Sequence, residues 1–303
     1  MPQKRVLVVA NKWWECDPIM YVLLRDSAHT SSVLGWPELP GHPHRRPERK
    51  EQPVQPSSPV PRAVFTLSKI KVEVWCISDL LEHLPEESSY QSSAQRKIER
   101  LPEIFSRAPV DFVIAIGTAA YPGDGNENGS VTVGTRIFMH DANQEGKNHD
   151  SEWRCGPFDE LKASSLDRTA FIDITSFDPR VVADFLVPPL NPAKKGRLLV
   201  DDRYVALGTV NVTYVGEYVR ADQATLDAYL TKYERGGAKS LETTHGLIRV
   251  QSEAPFIFVS GIANRMGHFD DDVGPRCYAQ NTSAAHNAGI VLANIIPRIN
   301  GLF

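Results

Sequence analysis

A chain of 303 residues, 42% hydrophobic and 23% charged, has the make-up of a soluble globular protein with ample material for a core. Its 33 basic and 37 acidic side chains leave a net charge of −4, which gives no electrostatic case for binding nucleic acid. No run of about 18 apolar residues occurs, which argues against a membrane span. The N-terminus runs straight into a short apolar stretch without the features of a signal peptide. Cys16, Cys76, Cys155 and Cys277 form no CxxC pair, a pattern of reduced thiols that points to the cytoplasm.

Residues 5–10 (RVLVVA) read as a strand buried on both faces of a parallel sheet. Residues 11–17 read as the loop off its end, and 18–25 as a helix with Asp17 as N-cap and Pro18 at the first position. Residues 27–62 carry eight prolines and no period, so they are expected to form a long surface insertion, a tolerated one or a docking arm. Residues 63–67 and 71–77 alternate like paired strands. Helical spacing follows over 91–105, with Pro102 as an interruption. Residues 111–116 (DFVIAI) form another buried strand, and the small residues 117–120 off its end would let a ligand approach the backbone.

Residues 130–140 read as one strand with a central glycine, and 143–165 as loop. A short helix is expected over 178–186, strands over 197–200 and 204–212, and an amphipathic helix over 222–233. Residues 240–242 (SLE) read as a short acidic turn opening a helix-like run, followed by a strand over 255–262 and a last helix over 280–296. The alternation of strands and helices predicts one α/β domain over 1–303, with a large mixed central sheet flanked by helices. An acid and an amide, Glu242 and Asn264, fall where open α/β sheets bind ligands, near the C-terminal ends of strands. There is no GxSxG, P-loop or Rossmann fingerprint.

Several segments together resemble the nucleoside phosphorylase superfamily, in particular its methylthioadenosine and S-adenosylhomocysteine nucleosidases. The family's glycine-rich strand end resembles residues 117–121 (GTAAY), and its next strand, from G-D to H-D, resembles residues 133–141. Its ribose motif E-M-E resembles residues 240–242 (SLE), and its closing I-S-D resembles residues 262–264 (IAN). Glu15 stands where the nucleosidases carry an acid just after the first strand. The resemblance covers most of the chain apart from the proline-rich insertion and residues 143–195.

Cleaving an N-glycosidic bond passes through an oxocarbenium-like sugar, so a site needs a base-side donor, a sugar-side carboxylate and a group for the nucleophile. The resemblance implies Glu15 as the residue activating water, Glu242 as the acceptor of the ribose hydroxyls and Leu241 as the apolar sugar face. On the same basis Gly117 and Thr118 line the ligand, Tyr218 stacks on the base and Asn264 contacts it. A helix-terminal role for Glu242 and a solvated-loop role for Glu15 are the plainer alternatives. Asn264 departs from the nucleosidases' aspartate, since an amide donates a hydrogen bond but hands over no proton; it implies a 6-oxopurine nucleoside or a lost activity. The phosphate-binding arginines of the phosphorylases have no counterpart in the matching positions, which favours water over phosphate. No cofactor or metal is expected. The partner is a small-molecule nucleoside or base, and the assembly a homo-oligomer.

Overall fold

The computed structural model describes residues 3–25, 60–81, 93–123, 127–141, 159–160, 184–187, 203–215, 238–266, 272, 278–299 and 301. Strand β1 (Lys4–Ala10) pairs in parallel with β3 (Ile70–Cys76) on one side and β4 (Phe112–Tyr121) on the other. Strand β2 (Ala63–Leu67) closes a hairpin onto β3 through Ser68 and Lys69, both left-handed (φ 49 and 68) as a two-residue turn of this type requires. Beyond β4 lie β10 (Ala238–Glu242), β9 (Val210–Val215), β6 (Arg136–Asp141) and the two-residue β7 (Asp159–Glu160). A branch leaves β4 through β11 (Phe256–Arg265) to β5 (Val131–Gly134) and β8 (Val205–Ala206). Parallel and antiparallel pairings occur in one sheet, so the mixed α/β sheet expected from the sequence is the architecture found.

Alternation along the strands explains why the sheet is covered twice. Val6, Val8 and Ala10 face one layer with Ile114 and Ile116. That layer holds helix α1 (Trp13–Arg25) and the last helix, α6 (Tyr278–Ile299), through Ile19, Leu23, Ala288 and Val291. Leu7, Val9, Val113 and Ala115 face the opposite layer. There they meet α2 (Ile77–Leu81), α3 (Ser93–Arg100), α4 (Pro102–Phe105) and α5 (His245–Arg249). Gly261 lets α6 lie against β11: a Cβ there would sit 2.0 Å from the Ala284 carbonyl oxygen.

Several readings change, among them the strand expected over 204–212, which is divided into β8 and β9. Helix α1 begins at Trp13, and Pro18 lies inside it. Asp17 does not cap the helix; it turns into the core onto Arg62, which also holds Asp79 at 2.7 and 2.8 Å. Arg62, read as the end of a surface insertion, is fully buried in that ion cluster; residues 27–59 lie outside the described residues. Strand β4 runs on through 117–120 to Tyr121. The single strand expected over 130–140 is two, parted just after Gly134, where the chain passes so close to the Thr209 carbonyl that a Cβ would meet it at 2.0 Å. Residues 240–242 belong to a strand, and the helix starts only at His245. The helices expected over 178–186 and 222–233 lie wholly or mostly outside the described residues.

Candidate functional site

The parallel strands β1, β4 and β11 point to one edge, and β4 and β11 run on together past the end of β1, to Tyr121 and Arg265. Ala120 on that extension is flanked by Leu241 of β10 on one side and Asn264 of β11 on the other. Since β10 runs antiparallel to β4, Glu242 follows Leu241 back toward Thr118. A shift in register between Ile262 and Asn264 bends β11 at the same level. Two further segments, β10 and β11, are thereby drawn to one short length of β4.

Glu15 lies in the first turn of α1 and is buried. Its Oε2 accepts from the Lys12 N–H at 2.9 Å, the half of a capping box that an N3 glutamate supplies. Its Oε1 accepts from the Thr118 N–H at 2.8 Å and from the Thr118 hydroxyl at 2.6 Å. Gly117 makes this approach feasible, because a Cβ there would lie 3.1 Å from Oε1. A carboxylate offers roughly four acceptor sites, and three neutral donors fill all but one of them here.

Glu242 is buried within a continuous polar network. Its Oε1 accepts from Asn211 Nδ2 at 2.7 Å and from the Thr213 hydroxyl at 2.5 Å. Its Oε2 accepts from the Thr244 N–H and from the His245 N–H at 2.7 Å. Ser240 in turn donates to Asn211 Oδ1 at 2.7 Å, and Thr213 Oγ1 accepts from the Gly246 N–H at 2.7 Å. These four donors fill the carboxylate, two of them amides at the start of α5. Leu241 is buried beside it. His245 Nδ1 stands 3.4 Å from the Ser260 hydroxyl and 4.0 Å from Glu242 Oε1. Both contacts fall on one ring nitrogen, so this is not a relay of the serine hydrolase kind, which uses opposite nitrogens.

Asn264 is half-buried and donates one amide hydrogen to the Arg265 carbonyl at 2.9 Å. Arg265 itself is tied to Asp272 by hydrogen bonds of 2.7 to 3.3 Å, so the strand end carrying Asn264 is braced. Tyr218 lies outside the described residues.

Comparison with solved structures places this architecture. A 5′-methylthioadenosine/S-adenosylhomocysteine nucleosidase from Neisseria meningitidis, in complex with methylthio-immucillin-A, superposes with TM-score 0.54 over 97% of this chain and 99% of that one, at 14% identity. The Helicobacter pylori enzyme gives TM-score 0.56 at 8% identity, covering 98% and 99% of the two chains. That of Colwellia psychrerythraea, in complex with adenine, gives 0.53 at 12% identity, covering 98% and 96%. The fold is that of the nucleosidases of the nucleoside phosphorylase superfamily. No protein-family model and no curated protein matches the chain.

On this nucleosidase fold the structure adds residues that the sequence reading passed over. Asn211 and Thr213 sit one strand away from Glu242 and carry no local motif. Lys97 is the other, and it is buried on α3. Its ammonium donates to the Thr243 carbonyl (3.4 Å), the Thr243 hydroxyl (3.3 Å) and the Thr244 hydroxyl (3.1 Å). Its pKa is lowered to about 7, by burial first and by the Lys12 charge next, against Glu242 and then Glu15, which raise it. One ammonium therefore feels both carboxylates. A signal for it existed: Lys97, Leu101 and Ile104 share one helical stripe, and the latter two are fully buried.

Proposed function

We propose that this protein hydrolyses the N-glycosidic bond of a purine nucleoside, with Glu15 activating the water, Glu242 binding the ribose and Asn264 contacting the base. The observation that carries this reading is the state of Glu15. Among the described residues its carboxylate is fixed on β4 by neutral donors, without an ion pair, and retains room for one more hydrogen bond. A water held there faces a fixed acceptor for its proton while it attacks C1′ of the sugar.

At the sugar, the 2′- and 3′-hydroxyls reach Glu242 by exchanging with Asn211 and Thr213, its two side-chain donors, while the amides of Thr244 and His245 stay in place. Leu241 supplies the apolar face, and Gly117 and Thr118 line the ligand. At the base, the amide hydrogen of Asn264 not given to Arg265 supports the charge that develops as the bond breaks. An amide cannot complete the transfer with a proton, so departure of the base leans on its own acidity. Tyr218 is assigned to base stacking on the resemblance alone. The setting we propose is a cytoplasmic homo-oligomer, checked by light scattering.

The test is a panel of 6-amino- and 6-oxopurine nucleosides incubated with and without phosphate, with free base read by chromatography. Base released without phosphate is the expected outcome. Release only with phosphate would assign phosphorolysis instead. Calorimetric binding with no turnover would make the chain a nucleoside-binding protein.

A further inference from the structure

Lys97 stands out because an ammonium taken out of water is costly unless its environment returns the lost interactions. Here α3 delivers it into the back of the strand-end site, and all three of its N–H groups are directed at one turn. The turn is Thr243–Thr244, reached through a carbonyl and two hydroxyls. That turn joins β10 to α5. The N–H of Thr244 and the N–H of His245, the next residue, are the two backbone donors that hold Glu242 Oε2. A chain of direct contacts thus runs from the ammonium through the turn to the carboxylate.

We propose that Lys97 is a positioning residue for the sugar-side carboxylate, gripping the Thr243–Thr244 turn so that its amides hold Glu242 in the orientation that receives the ribose. This rests on the ribose-binding reading of Glu242. A merely space-filling role needs no charge: a methionine of similar length would fill the same site without the desolvation cost. The position uses donors, three of them, and a charge that both Glu242 and Glu15 favour.

The same contacts make the grip pH-dependent. The groups around Lys97 are Lys12 and Glu15 at the start of α1 and Glu242 on β10, all three of which act on its charge. The helices packed against α3 add Asp79 on α2, held by Arg62; Glu103 on α4, held by Arg100; and His245 and Arg249 on α5. With its proton lost above pH about 7, the amine keeps two donors where it had three, and the turn loosens.

The experiment compares the wild-type chain with Lys97→Met and Lys97→Arg. For a cleaved nucleoside, Lys97→Met is expected to raise KM by about tenfold or more with kcat changed less than about threefold, the signature of lost ground-state binding. Wild-type KM should climb as pH passes through about 7, and Lys97→Arg, charged throughout, should show no such climb. The wild-type profile needs no variant to fold. Hydrogen exchange at the Thr244 and His245 amides should be about tenfold faster or more in Lys97→Met. An unchanged KM, a pH profile shared by lysine and arginine, or unchanged exchange overturns the proposal. Should the wild type cleave no nucleoside, the glycosidase reading fails by itself, and the exchange rates still decide the role of Lys97.

Discussion

Glu15 and Glu242 are the same functional group, both buried, both beside the extension of β4, and they are held in opposite ways. Glu15 accepts three hydrogen bonds from two residues and keeps an acceptor site open. Glu242 accepts four, two from β9 and two from the turn into α5, and is filled. Among the described residues the first is a fixed acceptor with a vacancy; the second is a junction that ties β10 to β9 and α5. Burial alone makes the two acids alike, and the count of donors separates them.

The largest effect expected from this contrast is on folding. Glu242→Ala leaves two side-chain donors and two amides without an acceptor, and should destabilise the chain by about 3–5 kcal/mol in denaturant unfolding. Next, Glu15→Gln keeps one acceptor oxygen but turns an NH2 toward a buried N–H, so it should cost about 1–3 kcal/mol, less than Glu242→Ala, while lowering kcat by about 10²–10⁴-fold. If Glu15→Gln unfolds the protein, or Glu242→Ala is harmless, the contrast breaks.

The shared ammonium sharpens it. Because Glu242 acts on Lys97 more than Glu15 does, Glu242→Gln should lower the Lys97 pKa further than Glu15→Gln does, by up to about 1 unit. Side-chain NMR of the lysine amine reads this directly. The sign for stability follows from the same shift. Lys97 sits near 7 when folded and 10.5 when exposed, so between those values the unfolded chain holds the proton more often. Stability should therefore rise with pH across that window, and this contribution to the rise is absent from Lys97→Met. The smallest effect is at the hydroxyl that steadies Glu15: Thr118→Val removes a 2.6 Å hydrogen bond and keeps the backbone one, which should cost about tenfold in kcat/KM.

Some of this was legible in the sequence. The apolar runs of β1, β4 and β11 announced strands buried on both faces, since a parallel strand sandwiched between helix layers has no polar side to show. The hairpin 63–77 was legible from alternation, and α6 from its spacing. Glu15 was placed by its position just after a strand, yet the sequence reading put it in a loop. The Asp17–Pro18 pair looked like a helix start, and the actual cap, Glu15 back to Lys12, is equally local but chemically less conspicuous. The reading of 240–242 failed for a different reason. Strand β10 is short and borders β9 and β4, and its identity comes from pairing with Val212, Thr213 and Ala120, none of which is near in sequence.

What the sequence by itself determined is the α/β class, the strands that carry the core and the candidate acids and amide at their ends. The class, the strands, Glu242 and Asn264 follow from local periodicity and residue type, and Glu15 from the family resemblance; no distant contact is needed to read them. What only the tertiary structure decided is company. Asn211 and Thr213 reach Glu242 across 31 and 29 residues, Thr118 reaches Glu15 across 103, and Lys97 meets Thr243 across 146. Each meeting depends on strand order and register, set by the burial of whole faces rather than by any short stretch. The side chains of a site can be nominated one at a time, but whether a carboxylate ends with a free acceptor or a full set of donors is fixed by neighbours that the fold brings from elsewhere.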